Sequence, residues 1–171
     1  ILMTLWRKIP AILLSILLLS GCGKGPWFGK EEPDASKLPS TLGLTLLADD
    51  DINPNSDNEA SPLAFQVILM SEDSKLLAAD YDQLTAKDMK EVLGKNYIDH
   101  QDFTLLPGQY KYIYPTELDS KVHYIGVAAY YSKPNGAQWK KVLKLAPIGH
   151  KYQVLVHLHK ADIDVRKESE D

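Results

Sequence analysis

The sequence predicts a mainly β protein, a two-sheet antiparallel β-sandwich with a short helical insertion. Three observations lead there. Apolar residues alternate with period two in several separate stretches, Gly, Pro, Asn and Asp divide those stretches at close intervals, and a single segment between residues 75 and 93 switches to helical spacing. Seven strands arranged this way favour a sandwich, with a closed barrel as the alternative topology. The chain has 171 residues and one cysteine. Once an N-terminal address is set aside, about 150 residues remain, the size of one domain with a tether.

That address is the first element in the chain. Arg7 and Lys8 form a positive start, with Met3 as the expected initiator, and Ile9 to Leu19 form an apolar run. A membrane-spanning helix needs about 20 apolar residues, so this run has signal-peptide length. It closes on Leu19-Ser20-Gly21-Cys22. An aliphatic residue, two small residues and a cysteine have the form of a bacterial lipobox, in which the thiol receives diacylglycerol before cleavage on its N-terminal side. Residues 1–21 are therefore expected to be a cleaved lipoprotein signal peptide, and Cys22 the lipidated residue. Each buried acyl methylene contributes about 0.8 kcal/mol, so several chains make a firm anchor. Gly23 rather than aspartate follows Cys22, which favours sorting to the outer membrane, on its periplasmic face. With the cysteine used for lipid, the domain has no intrachain disulfide and must rely on a packed core. The net charge is −4, or −6 without the two basic residues of the signal segment, which argues against nucleic-acid binding.

Residues 22–40 are rich in Gly, Pro, Lys and acidic side chains and read as a lipidated tether, with Trp27 and Phe28 as its only large apolar residues. The expected β domain covers 41–161. Leu42, Leu44 and Leu46 share one face of a first strand over Thr41–Ala48, and Leu63–Met70 is apolar on both faces, as a central strand would be. Between them Asp49, Asp50, Asp51, Ile52, Asn53, Pro54, Asn55, Ser56, Asp57, Asn58, Glu59, Ala60, Ser61 and Pro62 lose all periodicity and read as one long exposed loop. Two short helices follow, one near Leu77–Leu84 and one over Ala86–Leu93, with Thr85 as the expected N-cap and Gly94 as the C-cap. Ile98–Leu106, the turn pair Pro107-Gly108 and Tyr110–Tyr114 suggest a hairpin. Val122–Tyr131 reads as a second central strand, because Gly126, Ala128 and Ala129 allow close approach. Trp139–Leu145 and Tyr152–Leu158 complete the seven strands, and the charged tail 162–171 is expected to fray.

In this order and spacing the chain resembles the TssJ family, also called SciN or VasD, the outer-membrane lipoproteins of bacterial type VI secretion systems. The residues that carry the resemblance run through nearly the whole mature chain. They are the lipobox, Asp51-Ile52-Asn53-Pro54-Asn55, Ser61-Pro62-Leu63, Ala79-Asp80-Tyr81-Asp82-Gln83-Leu84, Leu106-Pro107-Gly108, and Tyr124-Ile125-Gly126-Val127-Ala128-Ala129-Tyr130 with Trp139 after it. Where family members often carry Gly-Arg in the first loop, this chain has Asp57-Asn58-Glu59. The resemblance implies a transthyretin-like β-sandwich without enzymatic activity. It also implies that the loop from Asp49 to Pro62 binds the periplasmic C-terminal domain of the IcmF-like inner-membrane protein, TssM, in a membrane complex that includes TssL.

Other chemistry has weaker support. Asp51, Asn53, Asn55 and Asp57 place oxygens at alternate positions, as a calcium loop does, but Ser56 stands where that loop needs glycine and Pro62 where it needs a bidentate glutamate, leaving only Glu59 to help. His157 and His159 share a strand face but lack an evident third ligand, so they read as exposed strand positions and no metal is expected. No triad or paired carboxylates can be assembled, and no cofactor is implied. Tyr110, Tyr112, Tyr114, Tyr130 and Tyr131 read as packing residues. The alternative function is a periplasmic small-ligand carrier or envelope-stress lipoprotein built on the same sandwich.

Overall fold

The computed structural model describes residues 32–170. The expected signal peptide, Cys22 and the tether residues Trp27 and Phe28 lie outside the described residues. Eight strands, β1 (Thr41–Ala48), β2 (Leu63–Met70), β3 (Tyr97–Leu105), β4 (Tyr110–Glu117), β5 (Tyr124–Ala129), β6 (Lys140–Lys144), β7 (Lys151–Leu158) and β8 (Ile163–Glu170), form two four-stranded sheets. Their orders are β4-β1-β7-β8 and β3-β2-β5-β6. The expected sandwich of two sheets is therefore present. All strand pairs are antiparallel except β1 and β7, which run parallel from Thr41 opposite Lys151 to Ala48 opposite Leu158.

The period-two pattern does what it predicts. Leu42, Leu44, Leu46 and Ala48 of β1, with Val154 and Val156 of the adjacent β7, face Phe65, Val67, Ile125 and Val127 of the other sheet in one inter-sheet core. Each such buried side chain contributes about 1.5–3 kcal/mol. The doubly apolar character of β2 also has its reason. Leu63, Phe65 and Val67 point into that core, while Ile68 and Met70 point outward into a second cluster with Leu76, Leu84, Met89 and Leu93.

The second cluster lies beneath the helical insertion, which consists of three helices rather than two: α1 (Ser74–Ala78), α2 (Tyr81–Ala86) and α3 (Met89–Leu93). Thr85, the expected cap, sits inside α2. The capping box is Asp80 with Gln83: the Gln83 N–H donates to the Asp80 carboxylate at 2.8 Å, and the Asp80 N–H to Gln83 Oε1 at 3.0 Å. Gly94 ends α3 with φ +53°, as expected of a helix stop. The last turn of α1 is held from the sheet. Lys140 Nζ donates to the carbonyls of Leu76, Leu77 and Ala79 at 3.1, 2.6 and 2.6 Å, and burial pushes its pKa down despite the nearby Asp80. Leu76 and Met70 close over Gly126, where any Cβ would collide with both.

Three expectations are corrected. β3 and β4 do not form a hairpin, because β3 pairs with β2 in one sheet and β4 with β1 in the other. Pro107-Gly108 is thus a crossover between sheets; a turn signal marks the bend but carries no information about the next partner. Instead of fraying, the tail from Ile163 to Glu170 is the strand β8, which pairs with β7 and buries Ile163 against the core. Alternating Ile163, Asp164, Val165 and Arg166 are a strand pattern that charge conceals. Finally, the tyrosines separate: Tyr131 is buried and Tyr130 partly so, but Tyr110, Tyr112 and Tyr114 stand 58%, 40% and 78% exposed on the edge strand β4. That edge carries Pro115 at an irregularity in the β1 register between Leu42 and Leu44, a position where a missing N–H does little harm.

The segment just before β1 is also held. Ser40 is fully buried, its hydroxyl donating to Ala146 O at 2.7 Å and accepting from His150 N–H at 3.1 Å.

Candidate functional site

The loop from Asp49 to Pro62 leaves the end of β1 and is braced before it projects. Asp49 N–H continues the parallel ladder to Leu158 O at 2.9 Å, and Asp49 O accepts from Gly108 N–H at 3.1 Å. The sheet-crossing turn therefore supports the first loop residues. Gly108 has φ +74°, and a Cβ there would run into the Asp50 carboxylate.

Ile52 is fully buried and Asn53 is 4% exposed, although the sequence suggests exposure throughout. Asn53, at φ +48°, is the hub of the root. Its N–H donates to Lys160 O at 3.1 Å, its Nδ2 to Pro62 O at 2.8 Å, and its Oδ1 accepts from Ser132 N–H at 2.8 Å. The Ser61 hydroxyl donates to Asn53 O, and the Ser61 N–H to Ile52 O at 3.1 Å. One side chain thus joins the end of the loop to the stretch after β5, while its backbone joins the connection between β7 and β8. Tyr131 buttresses the same region, its buried hydroxyl donating between His159 O and Asp162 O at 2.9 and 2.8 Å. Burial, then the charges of Asp162 and Asp49, push the Tyr131 phenol well above the ordinary tyrosine range.

Beyond the root, Asn55 organises the tip. Its Oδ1 accepts from the N–H groups of Asp57 and Glu59 at 2.9 and 3.0 Å, and its own N–H donates to Glu59 O at 2.8 Å. Asn58 takes φ +59° and accepts at Oδ1 from Lys133 Nζ at 3.2 Å. Ser56, Asp57, Asn58, Glu59 and Ala60 are exposed, as are Asp50 and Asp51 nearer the root. A recess of about 200 Å³ lies beside the tip, lined by Asn53, Asn58, Tyr131, Lys133 and Lys160 among others. The calcium pattern is not realised: the Asn53 and Asn55 oxygens that it needs are engaged by backbone N–H groups.

At the loop's first residue the structure brings together groups that the sequence leaves apart. The parallel register sets Asp49 against the histidines of β7 and its end: Asp49 Oδ1 is 2.6 Å from His157 Nε2, and Oδ2 is 2.7 Å from His159 Nδ1. The two imidazole centroids are 4.0 Å apart. Burial raises the Asp49 pKa, but the hydrogen bonds and charges of His157 and His159 outweigh it and hold the carboxyl below its ordinary value. Asp49 is the third ligand-bearing residue missing from the sequence pattern. A parallel alignment of Leu47 with His157 would have found it, since that places residue 49 beside residue 159.

Among the described residues, no helix is long and apolar enough to cross a membrane. A sequence model of the family described as type VI secretion lipoprotein, VasD, EvfM, TssJ matches residues 40–161. The chain is similar to the type VI lipoprotein TssJ1 from Pseudomonas aeruginosa, at 25% identity over 77% of this chain and 98% of that one, with a TM-score of 0.70. It is also similar to Lip of Serratia marcescens, described as a membrane-bound component of the type VI secretion system, at 25% identity over 77% and 99% of the two chains and a TM-score of 0.67. A structure described as the TssM C-terminal domain from EAEC shares the fold at 21% identity, over 74% and 97% of the chains, with a TM-score of 0.60. No curated protein matches the sequence.

Proposed function

The chain belongs to the type VI secretion lipoprotein family, and on that premise we propose that it is a structural, non-enzymatic part of the secretion system's membrane complex. In this reading lipid on Cys22 holds it to the periplasmic face of the outer membrane. The loop from Asp49 to Pro62 grips the periplasmic C-terminal domain of the IcmF-like inner-membrane protein, TssM, and TssL is reached only through that partner.

The observation that carries the proposal is the contrast within the loop: a root fixed by buried Ile52 and Asn53, and an exposed acidic tip at Ser56–Ala60. A recognition element works best when its shape is set before binding, because less ordering entropy is lost on association. Exposed Asp50, Asp51, Asp57 and Glu59 call for a basic surface on the partner. The lipid anchor confines the tip to a thin layer beneath the membrane, which raises its effective concentration for a partner reaching across the periplasm.

The carrier reading finds less support. The inter-sheet space is filled by side chains, and the crevice beside Leu42, Leu44, Val67 and Ile113 holds about 120 Å³, against the roughly 300 Å³ at the small end of ligand pockets.

Pull-down with the partner's periplasmic domain tests the proposal. Capture is expected with the wild-type chain and to be lost on reversing Asp57 and Glu59 to lysine. Undiminished capture by the reversed variant would refute the loop assignment. Cys22→Ser should retain capture in solution while abolishing secretion in cells, and full secretion by that variant would refute the anchor.

A further inference from the structure

We propose that Asp49, His157 and His159 form a binding site for a single zinc-like divalent cation at the root of the loop. The site neither depends on the partner assignment nor follows from the family.

Three observations combine. The donor set is two imidazoles and one carboxylate, borderline-soft nitrogen and hard oxygen together, which suits zinc and not the all-oxygen demands of calcium or magnesium. The donor atoms converge, with all three residues offering a ligand atom within 4.8 Å of the others. They are carried by adjacent, fully hydrogen-bonded backbone: His157 lies in β7, His159 directly follows that strand, and Asp49 continues its parallel partner β1 through Asp49 N–H to Leu158 O. Two histidines separated by one residue on an extended chain project to the same side, which is why both rings reach one carboxylate.

In the structure the site is closed by hydrogen bonds. Each ring nitrogen donates to a different carboxylate oxygen, at 2.6 and 2.7 Å. A tetrahedral ion with ligand bonds of about 2.0–2.2 Å needs its ligand atoms about 3.3 Å apart. The three ligand atoms, within 4.8 Å of one another, reach that spacing by side-chain rotations of Asp49 and the two imidazoles. For the ion to bind, each ring must give up the N–H that faces the carboxylate: a neutral imidazole shifts that proton to its other ring nitrogen by exchange through solvent, an imidazolium releases it, and the ion takes the vacated nitrogen. The side chains of His157, His159 and Asp49 are 21%, 36% and 36% exposed, so an ion and a coordinated water have a way in. Three protein ligands leave the fourth position to that water.

The ion would tie the first residue of the loop to β7 by coordination rather than by hydrogen bonds. The untagged full chain in detergent, titrated with zinc chloride by calorimetry, tests this. The expected result is one zinc per chain with micromolar or tighter affinity, and no comparable binding of calcium or magnesium. Affinity is expected to fall by at least about tenfold in His159→Gln, in which the amide can still hydrogen-bond to Asp49, and in Asp49→Asn. Zinc should raise the unfolding temperature of the wild-type chain and not of His157→Ala/His159→Ala. Cobalt should give the strong visible absorption of a four-coordinate site in the wild type alone. Absence of zinc binding would overturn the proposal, as would binding that survives unchanged in His159→Gln and Asp49→Asn. The single variants preserve the test if the double variant fails to fold.

Discussion

The two halves of the loop between β1 and β2 are built from the same few residue types and behave as opposites. Asn53 and Asn58 both adopt positive φ, at +48° and +59°. Asn53 is buried and satisfied on both sides of its amide, whereas Asn58 is exposed and meets one lysine. The comparison teaches that polarity has two uses in this loop. At the root it fixes the position of the backbone, where a buried polar group without partners would be costly. At the tip it presents charge to solvent, where little stability is at stake.

The strongest way to break that contrast is at its hub. Asn53→Ala removes two side-chain hydrogen bonds, leaves Ser132 N–H without its acceptor, and imposes positive φ on a residue that disfavours it. Together these are expected to cost about 2–4 kcal/mol in urea unfolding. Asn53→Gly should recover about 1 kcal/mol of that by relieving the backbone. If Asn53→Ala unfolds no more easily than Asp57→Ala, root and tip do not differ in the way described.

Tyr131→Phe is expected to cost about 1–2 kcal/mol by deleting one hydroxyl that serves two carbonyls. It also carries a pH signature. A phenol whose folded pKa is raised above its unfolded value of 10.0 favours the folded state below about pH 10, and that contribution is lost as pH rises beyond it. Wild-type stability should therefore fall more steeply above pH 10 than that of Tyr131→Phe, as followed by unfolding across an alkaline series. The smallest effect on stability is expected at the tip. Asp57→Lys with Glu59→Lys should change it by less than about 0.5 kcal/mol, while weakening partner capture by about tenfold or more.

How much of this the sequence discloses depends on how local each signal is. β1 and β2 are legible to the residue, because Leu42, Leu44 and Leu46 alternate and Leu63–Met70 is apolar on both faces. The helical insertion is legible in kind, but Asp80 and Gln83 are the better capping box than Thr85. Pro107-Gly108 shows where the chain bends and not that it changes sheets, a property of strands far away in sequence. The candidate loop is legible as a loop; that Ile52 and Asn53 are its buried root is not, because their partners Lys160 and Ser132 come from connections near the other end of the chain. Asp49, His157 and His159 meet only through the one parallel strand pair, the pairing that alternation cannot announce.

That parallel pair also sets a timetable. Asp49 and His157 stand 108 residues apart in the chain, and Lys160 lies beyond them both. Contacts of such separation close late and slowly, because a long stretch of chain must first be brought into place. A chain delivered from its N-terminus would present its loop sequence well before the strand that seats the loop. The root of the loop is thus among the last parts of the domain to be completed, and on the proposed function a chain halted short of β7 would carry the loop sequence without the support that shapes it.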